Sequence, residues 1–484
     1  MFRRFAAAPI AAAFVAAAGL ASAQSVVQLK NAPPAGATVT LLLTDGTVLA
    51  QSYEENTWYK LTPDNTGSYV KGTWAQMASL PAGYVPLYFA SAVLSDGRVV
   101  IIGGEYNNNE FAFSNLGAVY DPAKNAWTRL AHPRGWRFIG DSPSAVLADG
   151  RFMVGEKMHK NLAVLDPKTL KWSALPSTGK NDWNAEEGWT LLPDGSVLTA
   201  DVLDHPKSER YDIGKQRWVR QGSTVADLWG PQNCCGCIPY GDRGRCYQPP
   251  GEIGPAILRP DGSVFATGAL DTVPAHTAIW HKPGPLHPGG NWTAGPDFPN
   301  GDQAGDTYAV LLPDGNVLIE GDSGTLYEFD GNKLTVENVG TVASYTPLVV
   351  LPTGQVLVGG FEVYNPAGTY QSAWQPTITS FPSTVTRGSS YKISGTQFNG
   401  LSQAAAFGDE GQLATNYPLV RITNNASGHV FYARTHDHST MGVATGSKKV
   451  STHFDVPTGM ETGASTLEVV ANGIPSPSVS VTVQ

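Results

Sequence analysis

Four acidic residues, Asp141, Glu186, Glu252 and Asp306, stand at matching distances ahead of a series of repeated turns, and two tyrosines, Tyr88 and Tyr345, hold the same place in other repeats. The turns are Asp45-Gly46, Asp96-Gly97, Asp149-Gly150, Asp194-Gly195, Asp261-Gly262, Asp314-Gly315 and Thr353-Gly354. Eight residues before each lie Ala37, Tyr88, Asp141, Glu186, Ile253, Asp306 and Tyr345, with Glu252 one step further out. Carboxylates aimed at one axis repel one another unless a cation, a proton or a hydroxyl-rich ligand sits between them. Singly, each acid is better explained by a strand-end cap or a bond to nearby backbone amides. Their shared repeat position argues instead for a common site. Its expected ligand is a metal ion, copper or calcium, or a glycan or other small hydroxylated molecule.

Two further groups carry chemistry. In Arg434-Thr435-His436-Asp437-His438-Ser439-Thr440, the H-x-H spacing lets His436 and His438 face one metal ion, although exposed loop histidines are more often merely solvated. All four cysteines, Cys234, Cys235, Cys237 and Cys246, fall within one insertion between Asn233 and Pro250. Their spacing is not a usual zinc pattern, so disulfides are expected in one of three pairings. The insertion runs into Glu252 and is expected to form a rim over the site. Trp189, Trp229, Tyr240, Tyr247 and Tyr308 are candidates for stacking on sugar rings, against a background of aromatics that pack the fold.

These groups need a scaffold that brings distant repeats together. Each turn joins two apolar runs, which reads as a two-residue β-hairpin in which Gly supplies the positive φ. Hairpins repeating every 40 to 65 residues or so indicate a β-propeller. The second half of each repeat agrees. Tyr120-Asp121 precedes Trp127, Leu165-Asp166 precedes Trp172, and Tyr211-Asp212 precedes Trp218, with Trp74 and Trp292 in longer variants. The last repeat lacks an outer strand, and Val26-Val27-Gln28-Leu29 is placed to supply it, closing a ring of seven blades without an open edge. After about residue 373 the repeats stop, and alternating segments up to Val483 predict an immunoglobulin-like β-sandwich. The expected domains are 24–372 and 373–484.

The hairpin, the Gly pairs Gly103-Gly104 and Gly359-Gly360, the Tyr-Asp and the Trp together resemble the kelch repeat. A kelch propeller followed by a sandwich is similar to the galactose oxidase and glyoxal oxidase family, with Pro376-Thr377-Ile378 and Gly473-Ile474-Pro475-Ser476 matching the two ends of the sandwich. The resemblance implies a copper-dependent oxidase acting on alcohol, aldehyde or carbohydrate groups. It assigns a copper-ligating histidine to His436 in Thr435-His436 with Thr440, carried into the propeller axis by a sandwich loop, and a metal-ligating tyrosine to Tyr88. The chain departs from the pattern elsewhere. No cysteine stands near Val39 to cross-link Tyr88, and Ser344-Tyr345-Thr346 replaces the family's Tyr-His pair. A different metal, or binding without redox chemistry, is therefore the leading expectation, with an altered-ligand oxidase and a surface interaction scaffold as alternatives.

The net charge of −9 disfavours nucleic acid or an anionic membrane as partner. Arg3 and Arg4, an Ala-rich stretch and Ala21-Ser22-Ala23 read as a signal peptide over residues 1–23. The sequence has no other segment apolar for long enough to span a bilayer, so a secreted monomer, periplasmic or extracellular, is expected. G-x-S-x-G, P-loop and H-E-x-x-H motifs are absent from the sequence.

Overall fold

A computed structural model describes residues 24–484 except 54, 232–237, 241–244, 248, 249, 271–273 and 408–410, with the backbone alone described for 238–240 and 245–247. The chain is almost wholly β. Seven antiparallel sheets form the blades; six run through four strands in chain order from the inside outward, with a fifth strand added inside blade 6, and the seventh takes its outer strand from the N-terminus. The innermost strands are Ala37–Leu42, Ala90–Val93, Ser144–Val146, Thr190–Leu191, Ala256–Leu258, Tyr308–Leu311 and Leu348–Val350. Each touches the innermost strands of its two neighbours, and that of blade 7 meets that of blade 1, so the ring is closed. Ser25–Gln28 pairs with Glu362–Asn365 as the outer strand of blade 7, in the register Ser25 opposite Asn365 and Gln28 opposite Glu362.

The hairpins differ in detail from the two-residue form expected. In blade 1 the Gly46 amide donates to the Leu43 carbonyl and the Leu43 amide to the Thr47 carbonyl, so three residues lie between the paired ends. Gly46 sits at φ 75°, giving a tight turn closed by a glycine bulge. The same two bonds recur in all seven hairpins. Asp45 Oδ1 accepts the Thr47 amide at 3.0 Å, and the five later aspartates do the same. The repeated Asp thus fastens the turn while Gly permits it. The tryptophans bind blade to blade: the indole N–H of Trp127 donates to the Ala78 carbonyl at 3.0 Å, and that of Trp292 to Ser208 Oγ at 2.8 Å.

The C-terminal strands form a sandwich. Thr377–Ser380, Ser390–Thr396, Lys449–Asp455 and Val430–His436 lie side by side, and the pairing continues through Leu419–Asn424, Gly463–Ala471 and Val479–Val483 to Thr384–Val385. Alternate residues enclose a core that includes Ile393, Val420, Phe454, Leu467 and Val481. This domain covers the face of the ring that carries the hairpin turns. Tyr432 packs on Gly46, the Thr435 carbonyl on Gly97, Met441 near Gly150 and Gly473 on Gly354. Amides of Thr435, His438 and Met441 donate to carbonyls of Thr44, Ser95 and Ala148 at 3.1, 3.0 and 3.0 Å, strapping three consecutive blades.

A second sandwich segment enters the centre of the ring. Ala405–Phe407 adds to the innermost strand of blade 6. Gln403 Nε2 donates to the Val146 carbonyl in blade 3, Gln412 Nε2 to the Trp189 carbonyl beside blade 4, and Gly411 bridges Ser91 in blade 2. Contacts with four blades place residues 402–407 and 411–416 at the central channel. Among the described residues no helix is long and apolar enough to cross a membrane.

Candidate functional site

Opposite the sandwich, where the chain enters the innermost strands, a pocket of about 490 Å³ opens between blades 7, 1 and 2. Tyr88 and Tyr345 both line it, together with Ala37, Tyr53, Phe361 and the segment 341–346. Three of the repeat positions picked out in the sequence therefore share one wall. Tyr88, Tyr345 and Asp306 also share a backbone feature, φ values of 52°, 61° and 51°. This left-handed conformation is costly for a residue with a Cβ and collects at functional sites. Tyr53, Tyr345 and Phe361 are 55, 46 and 39 % exposed, which leaves aromatic surface open to solvent around the pocket.

Acids border one side. The Tyr345 hydroxyl donates to Asp322 Oδ1 at 3.1 Å. Burial pushes its phenol well above the usual range, and the charges of Asp322, Asp306 and Glu252 push the same way. Glu252 and Asp306 are thus close to Tyr345, and a Cβ on Gly305 would stand 3.1 Å from Glu252 Oε2. Behind the wall, Glu320 accepts the Thr346 amide on both oxygens at 2.9 and 3.0 Å. Burial raises its carboxyl to about 8.

The other two acids serve a different end. Lys157 Nζ donates to both Asp141 Oδ2 and Glu186 Oε1, and all three side chains are buried. The expected ring of four acids is therefore not one cluster: Asp141 and Glu186 hold an internal ammonium, while the charges of Glu252 and Asp306 bear on Tyr345 from outside the pocket lining. Lys157 gives no signal to a search for acids at repeat positions, because it carries the opposite charge and follows the second strand of its blade.

The histidines are not at the mouth. His436 ends a sandwich strand, with Nδ1 2.8 Å from Asp437 Oδ2 and Nε2 3.0 Å from Asp455 Oδ1. His438 is buried against the hairpin-turn face, its Nδ1 2.9 Å from Thr452 Oγ1 and its ring parallel to Tyr417 at 6.2 Å. Burial lowers the His438 imidazole to about 3. The strap of amide bonds to Thr44, Ser95 and Ala148 fixes this segment one strand length from the pocket. The segment that does occupy the axis presents Phe407, stacked 6.1 Å from Tyr88 and tilted 37° against Tyr308 at 4.4 Å. Its sequence signal is the run Ala404-Ala405-Ala406, whose small side chains let this strand pack close to its neighbours.

None of the chain's ten histidines lines the pocket. With Tyr88 and Tyr345 present but no imidazole beside them and no cysteine near Val39, the residues do not fit the copper centre that the resemblance implied. Cys234, Cys235 and Cys237 lie outside the described residues, as do the side chains of Cys246, Tyr240 and Tyr247. Of the other aromatics, Trp189 is buried, Tyr308 donates to the Thr38 carbonyl at 2.8 Å, and Trp229 stacks on His205 at 4.6 Å.

Sequence reasoning missed a second acidic group, at the outer part of blade 4. Asp182, Glu187, Asp201 and Glu209 are buried and offer oxygens within 4.8 Å of one another, an arrangement able to hold a metal ion. Lys180 Nζ lies 3.1, 2.6 and 2.5 Å from Asp182, Glu187 and Glu209. Only the doubled Glu186-Glu187 and the Lys180-x-Asp182 pattern hint at it in the sequence.

No family model matches the chain. It is similar to a kelch-like protein, terF, of Aspergillus terreus, at 29% identity over 127 residues, which is 26% of this chain and 26% of that relative. The chain thus spans about a quarter of the length of the curated relative it matches. Among solved structures, a fungal alcohol oxidase of the AA5 family in complex with copper aligns over 95% of this chain and 98% of its own, at 15% identity and a TM-score of 0.49. A streptogramin B lyase aligns over 71% of this chain and 97% of its own, at 11% identity and a TM-score of 0.46. The chain is, on its own blades and repeats, an all-β seven-bladed propeller with a C-terminal sandwich, and part of it is similar to a kelch-like protein.

Proposed function

We propose that this is an exported binding protein whose propeller mouth takes a small hydroxylated molecule, a saccharide being the fitting class. The carrying observation is the pocket of about 490 Å³ around which Tyr53, Tyr345 and Phe361 stay exposed. Exposed aromatic faces match the apolar faces of sugar rings, and the carboxylates beside Tyr345 match hydroxyl donors. Export is supported by the leader read in residues 1–23. A glycan array followed by calorimetry on the mature protein tests the reading. Binding is expected to weaken roughly tenfold or more in Tyr345→Ala and in Phe361→Ala, and far less in Tyr345→Phe. A blank array, or wild-type affinity in both alanine variants, would reject it.

The altered-ligand oxidase keeps only Tyr88 and Tyr345 in its favour. Peroxide release from alcohols or aldehydes by copper-loaded protein would be its signature.

A further inference from the structure

We propose that the blade 4 cluster is a second, independent site, one that binds a hard divalent cation of the calcium or magnesium class through Asp182, Glu187, Asp201 and Glu209. Three observations carry it. The first is charge: four buried carboxylates face one ammonium, that of Lys180. Uncompensated charge of that size in a desolvated place demands protons or another cation.

The second is an unmet acceptor. Asp201 is 1% exposed; its Oδ2 accepts from the Asn181 side-chain Nδ2 at 2.7 Å, but its Oδ1 is buried without a hydrogen-bond partner. Lys180 does not reach Asp201 within ion-pair distance, so the ammonium compensates one side of the cluster and leaves this oxygen unmet. An oxygen-only donor set selects hard cations over zinc or copper.

The third is access. Gly179, Lys180 and Asn181 line one side of an open pocket of about 460 Å³, with Arg217, Trp218, Val219 and Arg220 on the other; the four acids do not reach its lining, and Lys180 joins pocket and cluster.

The test uses full-length mature protein stripped with chelator and titrated with Ca²⁺, Mg²⁺ and Mn²⁺ by calorimetry. The expected result is saturable one-to-one binding and a raised melting temperature. Asp201→Asn, which keeps the shape and relieves crowding, should lose at least about tenfold in affinity without a lower melting temperature in the stripped state. Glu187→Gln serves as a second variant with the same expected loss of affinity. The proposal is overturned if stripped wild-type protein binds no cation at millimolar concentration, or if both variants bind as tightly as wild type. Tyr345→Ala should leave cation binding unchanged, which separates this site from the mouth.

Discussion

Phe407 lies parallel to Tyr88, ring planes 4° apart and centroids 6.1 Å apart. Through this stack the C-terminal sandwich, docked on one face of the ring, supports a pocket residue on the other. Tyr88 holds a left-handed backbone, so its ring position depends on what packs behind it. Phe407→Ala should cost about 3–5 kcal/mol of stability, and ligand binding at the mouth should weaken although Phe407 does not line the pocket. Denaturant unfolding beside calorimetry checks both.

Lys157 is the counter-charge for Asp141 and Glu186 in a buried setting. Lys157→Met strands two carboxylates and should cost about 3–5 kcal/mol. Adding Asp141→Asn and Glu186→Gln should recover part of that loss. Urea midpoints of the single and triple variants decide; an unchanged midpoint in Lys157→Met would contradict the role.

His438 is neutral in the fold, lowered to about 3 from 6.5. Between those values the unfolded chain binds the extra proton, so the contribution of His438 falls as pH drops from 6.5 towards 3, at about 1.4 kcal/mol per pH unit. In His438→Gln this part of the acid sensitivity should vanish. Melting curves from pH 4 to 7 on both proteins measure the difference.

Glu320 has the opposite dependence. Its carboxyl is raised from 4.5 to about 8, so the folded state holds the proton more tightly and stability falls as pH rises from 4.5 to 8. Glu320→Gln, which retains an acceptor for the Thr346 amide, should gain on wild type progressively across that window. A constant offset between the two melting profiles would refute the assignment.

The propeller was legible because its hairpins repeat one turn: six of the seven, from Asp45-Gly46 to Asp314-Gly315, pair a carboxylate with a positive-φ glycine, and Thr353-Gly354 keeps the glycine. Ring closure by Val26-Val27 was legible for a related reason, an unpaired blade 7 edge. The site was half legible. Counting back from the turns located Tyr88, Tyr345, Glu252 and Asp306, because repeat position fixes where a strand enters the ring. It could not show Lys157 between Asp141 and Glu186, nor the Lys180 group, whose members come from the segment leading into blade 4, the end of its second strand and its third strand. The histidine segment misled because H-x-H reads alike whether it plugs a channel or straps a surface. Only the long-range pairing of Ala405–Phe407 with Tyr308–Leu311 distinguishes the two.

The seam of the ring has a consequence for biosynthesis. Ser25 and Asn365, which meet across it, are 340 positions apart in the chain. During N-to-C synthesis the first strand emerges long before its partner exists and must wait as an open edge. Closure therefore comes late, and any polypeptide interrupted before Glu362 carries an unsealed circle that quality-control proteases can recognise.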